Sequence, residues 1–408
     1  MDMNIKRYRK LLAASATLLA VSALPLHSAL GADAVKVGFL GGFTGPIESF
    51  APGIFQGAKS AVAHINENGG VLGGEMELVS GDSTCADATA AANAADRLIN
   101  SENVSAIVGP MCSGATISAA NNAGIPAGVV LVSPSATSPA VSSVEDNDLL
   151  FRTVPSDSYQ GESMAKLLLG KGIDNIAITY INNDYGKGFA DSVSNGFASM
   201  GGTVAANEAH EEGKADYRAE IGSLASSGSD FLVVLAYANG SGQTIIRQAL
   251  ESGDFTRFAG GDGMPEQSLI DAIGAEGLEG MILTRAGSPE GQGKDNFTMM
   301  WKESGFDESS YAPHAYDAAF LLALAMQKKG SADRAGMSEA LRSVASAPGE
   351  VIYPGEWAKA VEILSAGGDV NYEGAAGNQD FNENGDVSGI IVEVNITGGD
   401  LVEVGPIM

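Results

Sequence analysis

Hydroxyl side chains recur at two turns of the chain, and each turn follows a short apolar strand. Ser113 follows the strand Ala106–Val108 and a Gly-Pro pair, where a helix must begin, and Ser135 and Thr137 follow the strand Val129–Val132. A hydroxyl beside the free N–H groups of a helix N-terminus can bind an anion such as a carboxylate or a phosphate. Serine at the start of a helix is equally typical of an N-cap, and the sequence leaves both interpretations open.

One carboxylate has an unusual setting. Asp262 lies in the glycine-rich segment Gly260–Gly263, at the end of a predicted strand. A carboxylate there either forms the turn or pairs with an ammonium group, and both interpretations stand. Phe50, Tyr185 and Tyr237 occupy similar turn or strand ends, so they either pack in the core or cover the apolar part of a ligand.

Parallel strands joined by helices would bring these groups together. The stretch Ala106–Pro139 has the strand–helix–strand length of two parallel neighbours with a crossover helix. Both hydroxyl turns then lie at the carboxyl edge of one sheet, where open α/β sheets bind ligands. The same alternation starts again near Pro155, which predicts an α/β fold of two Rossmann-like lobes with parallel sheets and a cleft between them.

The last third of the chain predicts how the lobes are completed. Helical periodicity at Pro313–Lys329 returns the chain to the first lobe, and alternation in Gly389–Ile396 and Leu401–Val404 predicts a closing hairpin. The chain therefore crosses a multi-strand hinge more than once. The predicted lobes are lobe I (32–154 plus 285–389) and lobe II (155–284 plus 390–408).

Residues 1–31 have the features of a secretory signal peptide. Basic residues precede the apolar run Leu11–Leu24, and small residues at Ala29 and Gly31 suit a cleavage site. The apolar run is too short to span a membrane. We therefore expect an exported protein that is cleaved near Gly31.

The composition and the missing motifs exclude several functions. A formal net charge of −27 argues against nucleic acid or an anionic membrane as partner. The chain has no GxSxG, HExxH or Walker motif and no GxGxxG after a strand. His64, His210 and His314 are scattered without acidic partners at metal-ligand spacing. We therefore predict no enzymatic activity, no metal and no cofactor.

Cys85 and Cys112 are the only two cysteines. In an exported chain, two cysteines most simply form one disulfide. A metal site needs more ligands, and a redox pair is usually a CxxC motif.

Short motifs in one order and spacing carry a resemblance to a known family. The chain resembles the type I periplasmic solute-binding proteins of ABC importers, and most closely the leucine/isoleucine/valine-binding proteins. The cysteine pair also falls where that family has its disulfide. The motifs are Thr44–Pro46, His64–Gly70, Gly81–Cys85, Gly109–Ser113, Ser133–Thr137, Phe151–Thr153, Asp157–Gly161, Asp184–Gly186, Tyr353–Trp357 and Asp369–Gly377.

The resemblance implies a set of ligand contacts. Ser113 would hold a ligand carboxylate, Ser135 would present its carbonyl to the ligand amine, and Thr137 would contact both ends. Asp262 stands where the family commonly has glutamate and would pair with the ammonium. The implied ligand-binding residues are Ser113, Ser135, Ala136, Thr137, Asp262, Tyr185, Phe50 (a tyrosine in the family) and Tyr237 (a looser match).

The resemblance also implies a function. A monomeric periplasmic protein would capture an apolar, for example branched-chain, amino acid by lobe closure and deliver it to an ABC permease in the inner membrane. The alternative is the same role for another small carboxylate or amide ligand. An exported hydrolase lacks its nucleophile motifs, and a sensor ectodomain lacks a membrane segment or a fused signalling domain.

Overall fold

A computed structural model describes residues 32–306 and 309–408, so the predicted signal peptide lies outside the described residues. Lobe I is built on a five-stranded sheet in which every neighbouring pair is parallel. Its order is β2-β1-β3-β4-β5, with β1 (Ala32–Gly41), β2 (Gly74–Asp82), β3 (Ile107–Val108), β4 (Leu131–Ser133) and β5 (Leu150–Arg152).

Lobe II is built on a seven-stranded sheet that is parallel except at one edge. The parallel part consists of β6 (Asn175–Ile181), β7 (Thr203–His210), β8 (Phe231–Leu235), β9 (Arg257–Gly260) and β10 (Ile282–Gly287).

A small third sheet, which was not predicted, comes between β10 and the last two strands in the chain. It consists of β11 (Glu350–Ile352), β12 (Val370–Gly374) and β13 (Gly377–Asn378). The chain then ends in the predicted hairpin of β14 (Ile390–Thr397) and β15 (Asp400–Pro406). Because β14 pairs antiparallel with β10, the hairpin completes the second sheet in the order β15-β14-β10-β9-β8-β6-β7.

Helices connect the strands in the alternation that the sequence predicts. Those up to the end of the second sheet are α1 (Ala51–Glu67), α2 (Ala88–Asn100), α3 (Ser113–Ala119), α4 (Ile125–Ala127), α5 (Asp157–Gly170), α6 (Asp184–Ser199), α7 (Arg218–Ala225), α8 (Ser241–Ser252), α9 (Gln267–Ile273) and α10 (Ala275–Leu278). Those that follow are α11 (Gln292–Glu303), α12 (Ala312–Lys329), α13 (Met337–Ala345) and α14 (Trp357–Ser365).

Helix α12 returns the chain to lobe I. Its side chains are buried around almost its whole circumference from Ala312 to Met326, as expected of a helix that is apolar on all sides. It packs along α1 and also contacts β3 and β4. Burial of apolar surface therefore binds a late segment of sequence to the first sheet.

The lobe boundaries remain a proposal. The chain passes between the sheets after β5, after β10 and after β13. The boundaries proposed at 154 and 389 fall in connections between elements, whereas the one after 284 falls inside β10, which continues to Gly287.

From the sequence, the central helix is expected to have Ser113 as its N-cap, to run to about Ala123 and to be stopped by Gly124, Ile125 and Pro126. Two details differ in the structure. The N-cap is Cys112, without a side-chain capping bond, and Ser113 is the first helical residue. The helix also does not stop at Gly124, because a π-helical turn (Ala120–Gly124) leads directly into α4.

None of the helices in the described part of the chain is both long enough and apolar enough to cross a membrane.

Candidate functional site

A cavity of about 360 Å³, counted with its opening to solvent, lies between the two lobes. Lobe I and the segment before α12 supply most of its walls, and the turns after β6, β8 and β9 supply the rest. The lining residues are Ile47, Phe50, Ile54, Met111, Cys112, Ser113, Ser135, Tyr185, Tyr237, Asp262, Gly263 and Tyr311.

The structure brings most of the predicted site residues to this cavity. It does not bring Ala136 and Thr137 to the lining, and both are buried directly behind it. The Ala136 carbonyl accepts a hydrogen bond from Arg152. The Thr137 hydroxyl, on a side chain 1% exposed, has no hydrogen-bond partner among the described residues. The predicted residues in the lining are Phe50, Ser113, Ser135, Tyr185, Tyr237 and Asp262.

The two hydroxyl turns are neighbours, as the parallel-strand argument requires. The Ser138 N–H donates to the Ser113 hydroxyl oxygen over 3.1 Å, and the Ser135 hydroxyl donates to the Met111 carbonyl over 2.9 Å. Ser113 therefore accepts a bond from the opposite turn and keeps its own hydroxyl hydrogen for another acceptor.

A buried arginine holds the second turn from behind. The guanidinium of Arg152, on β5, donates to the carbonyls of Ala136 and Ser138 over 3.1 and 2.9 Å, and to Asp386 over 2.7 Å. Because these donors are directed at backbone carbonyls, the turn is fixed without any contribution from a ligand.

The disulfide holds the first turn from the side of β2. Cys85 is bonded to Cys112, which confirms the predicted pairing, and Cys112 directly precedes Ser113. The loop that carries Cys85 is therefore tied to the turn that presents the Ser113 hydroxyl to the cavity.

Asp262 lies on the opposite side of the cavity and is 4% exposed. One carboxylate oxygen accepts the Tyr185 phenol over 2.8 Å, and the other accepts the Tyr311 phenol. Tyr185 is stacked on Tyr237 with 5.2 Å between ring centroids. Burial raises the pKa of Asp262, and the two phenol hydrogen bonds oppose that rise.

A second acid, Asp157, was not predicted as a ligand contact. It is the first residue of α5, and its N–H donates to the Thr137 carbonyl over 2.8 Å. Both its carboxylate oxygens are buried without a hydrogen-bond partner among the described residues. Burial, followed by the nearby charge of Asp262, raises the pKa of Asp157 well above its usual range, and the Thr137 hydroxyl and the Arg152 charge oppose that rise. No lysine or arginine is among the described residues that line the cavity.

The rest of the lining is apolar. Ile47, Phe50, Ile54 and Met111 form a wall without a charged group. Of these, only Phe50 was predicted, through the family resemblance, because Ile47, Ile54 and Met111 resemble ordinary core residues in the sequence.

Tyr311 was also missed. Its one sequence signal is its position immediately before a long apolar helix, where an aromatic residue is most often part of the core.

Within the two described ranges, no group of three or more His, Cys, Asp or Glu side chains could hold a metal ion. The cavity offers instead serine hydroxyls on the lobe I side, the Asp262 carboxylate on the lobe II side and an apolar wall.

Residues 34–359 match the family model described as periplasmic binding protein. The chain belongs to the periplasmic binding protein family. Curated relatives include a leucine-, isoleucine-, valine-, threonine- and alanine-binding protein of Pseudomonas aeruginosa. It is 31% identical over 346 residues, which cover 84% of this chain and 90% of that protein.

Solved structures of periplasmic binding proteins share the fold. A leucine-binding protein of Thermotoga maritima has a TM-score of 0.78 and 26% identity, covering 91% of this chain and 98% of that one. A branched-chain amino acid transporter substrate-binding protein of Streptococcus pneumoniae, solved with isoleucine, has a TM-score of 0.74 and 25% identity, covering 91% and 99%. The predicted fold, two Rossmann-like lobes with parallel sheets, is thereby confirmed.

Proposed function

We propose that this periplasmic binding protein is the substrate-binding component of an ABC transporter and captures an α-amino acid with an aliphatic side chain by lobe closure. The observation that carries the proposal is the polarity of the cavity. The Ser113 and Ser135 hydroxyls lie on the lobe I side and the Asp262 carboxylate lies on the lobe II side. A second buried acid, Asp157, lies behind the lining beside Thr137, close enough for its charge to interact with that of Asp262.

This polarity is complementary to a zwitterion. A ligand carboxylate can accept the Ser113 hydroxyl hydrogen and the unpaired N–H groups of the first turn of α3. A ligand ammonium can supply a cation inside the cavity, where no lysine or arginine is in the lining, and its charge would lower the pKa of both acids from their raised values. Unpaired buried charges are unfavourable, so the ammonium is the part of the ligand that the site selects most strongly.

The apolar wall supports an aliphatic side chain. Ile47, Phe50, Ile54 and Met111 offer dispersion contacts and no hydrogen-bond partner for a charged or amide group. The curated relatives named for leucine, isoleucine and valine support the same class of ligand.

The transport role follows from the family. A site that binds a ligand without catalysing a reaction can use the binding energy to close the lobes. The closed, ligand-bound form is then the one that a permease can recognise. We propose that residues 1–31 direct export, that the mature protein acts as a periplasmic monomer without enzymatic activity, and that its partner is an inner-membrane ABC permease.

A calorimetric comparison of leucine, leucinamide and the matching acid without its amino group tests the proposal. The purified protein should bind leucine, isoleucine or valine. Removal of either the carboxylate or the ammonium charge of the ligand should reduce affinity at least about 30-fold, the effect of breaking a buried charge pair. Arginine and glutamate should bind much more weakly than leucine, because their charged side chains would face the apolar wall.

The alternative ligands give a different pattern. If the acid without its amino group, or benzoate, binds as tightly as leucine, the ammonium site is wrong and a small carboxylate is the ligand. If leucinamide binds as tightly as leucine, the carboxylate site is wrong and the amide alternative holds.

A further inference from the structure

The two lobes touch at a place that does not line the cavity. The Ser138 hydroxyl of lobe I donates to the Asp184 carbonyl at the start of α6 in lobe II over 2.7 Å. One turn further along α6, a Cβ placed on Gly188 would lie 2.8 Å from the Ser138 hydroxyl oxygen and 2.9 Å from Cδ of Pro139. We call Ser138, Pro139, Asp184 and Gly188 the closure seam.

The absence of a side chain at Gly188 is what allows this approach. Carbon atoms in contact prefer about 3.5–4.0 Å, so a methyl group at Gly188 would overlap its neighbours. Rotating the Ser138 side chain away would break its bond to Asp184, and the Pro139 ring cannot rotate. A methyl group is therefore accommodated only if the lobes separate.

The seam adjoins the site on both sides without touching a ligand. The Ser138 N–H donates to the Ser113 hydroxyl oxygen, and Asp184 directly precedes Tyr185. On another part of the interface, the Ser49 hydroxyl of lobe I donates to Oδ1 of Asn239 in lobe II over 3.2 Å. None of Ser138, Gly188, Ser49 and Asn239 is in the cavity lining.

Contacts of this kind exist only while the lobes are together. They therefore contribute to the free energy of closure whichever ligand is bound, and apparent affinity scales with the population of the closed form. We propose that the closure seam sets the affinity of this protein by one common factor for all its ligands and has no part in selecting among them. This inference rests on the proposed function, capture of a ligand by lobe closure.

Gly188→Ala is the informative substitution, because alanine favours a helix more than glycine does. Helix propensity alone would leave the ligand-free protein as stable as before or more stable and would leave its affinity unchanged. Overlap at the closure seam predicts that the dissociation constant rises at least about fivefold, the effect of modest overpacking, with a faster off-rate. Ser138→Ala should raise it about three- to tenfold, as expected for one lost hydrogen bond.

Gly222→Ala is the matched control. Gly222 is an exposed glycine in α7, and a Cβ there meets nothing within 4 Å. Calorimetry with leucine, isoleucine and valine should show no change in affinity for this variant. For Gly188→Ala the three affinities should fall by the same factor.

An unchanged affinity in Gly188→Ala, or a loss that differs severalfold between the three ligands, would overturn the inference while leaving the proposed function intact.

A second readout needs no ligand. In a Ser49→Cys/Asn239→Cys background, the rate of disulfide formation reports how often the lobes close. Added Gly188→Ala should slow it severalfold and Gly222→Ala should not. Equal rates of disulfide formation with and without Gly188→Ala would overturn the inference, and this result does not depend on whether the protein binds an amino acid.

Discussion

Replacing Asp262 by asparagine removes a charge from the proposed ammonium site while nearly preserving its shape. Asp262 accepts one phenol on each carboxylate oxygen. An asparagine oxygen can still accept from Tyr185, and its amide nitrogen can donate to the Tyr311 phenol oxygen. The substitution therefore separates the effect of the charge from the effect of the turn geometry.

The expected loss of affinity follows from burial. With Asp262 4% exposed, a ligand ammonium would pair with it out of water, and breaking such a pair costs about 2–5 kcal/mol. The dissociation constant for the best ligand should thus rise at least about 30-fold.

The ligand-free protein should respond in the opposite direction. Burial raises the pKa of Asp262, and its charge adds to the rise at Asp157, so the ionised pair is unfavourable until a cation arrives. Asp262→Asn removes that repulsion, and the free energy of unfolding at pH 7 should increase. Binding and stability therefore change with opposite signs.

Titration calorimetry and urea unfolding of the ligand-free protein measure the two quantities. Asp254→Asn, at an exposed acid, is the control for a general change in net charge and should leave both unchanged. Tyr311→Phe removes one phenol but keeps the charge, so the loss of affinity should be smaller, about 0.5–1.5 kcal/mol. Unchanged affinity in Asp262→Asn would refute the ammonium assignment and leave Asp262 as a turn residue. A parallel loss of affinity and stability would refute the electrostatic argument.

Three further predictions concern the carboxylate end, the disulfide and acid stability. Ser113→Ala should weaken binding by about 1–3 kcal/mol, measured by calorimetry, whereas Thr137→Ala should cost less because its hydroxyl lies behind the lining, and equal losses would contradict this placement. Thiol labelling of the native, unreduced protein should find no free thiol, since Cys85 and Cys112 are joined, and a reactive pair would contradict this. Burial lowers the pKa of His210 to about 4 in the folded protein. As the pH drops from about 6.5 to 4, the histidine is therefore protonated in the unfolded chain but not in the folded one, and the free energy of unfolding decreases. In urea unfolding, wild type should lose about 3 kcal/mol relative to His210→Gln over that range, and parallel curves for the two proteins would contradict a neutral buried His210.

Sequence reasoning recovered the elements whose periodicity is strong. The alternation of strand and helix predicted two parallel sheets, and the carboxyl edge of one of them predicted that the turns carrying Ser113 and Thr137 are neighbours, which the contacts between the two turns confirm. The end of the central helix was wrong because a π-helical turn absorbs Gly124 and lets the helix continue to Ala127. No local pattern announces such a turn.

The site was harder to predict where its residues carry no local signal. Tyr311 reaches Asp262 only because the chain returns to lobe I, and Met111 and Ile54 resemble any other core residue. Asp157 resembles an ordinary acid in the first turn of a helix, which stabilises the helix dipole on most surfaces. Its burial close to Asp262 is a property of the assembled fold, so the sequence alone could not predict it.

The discontinuity of both lobes has a consequence for how the polypeptide is made. The core of lobe I needs α12, which ends at Lys329, and the second sheet needs β14 and β15, which end at Pro406. A chain that emerges from the ribosome amino end first can therefore finish neither lobe until its synthesis is nearly over. Such distant pairings fold slowly, because loop closure must precede the contacts that stabilise it. We propose that residues 1–31 direct export, and late completion of both lobes would keep such a chain unfolded until it has been exported.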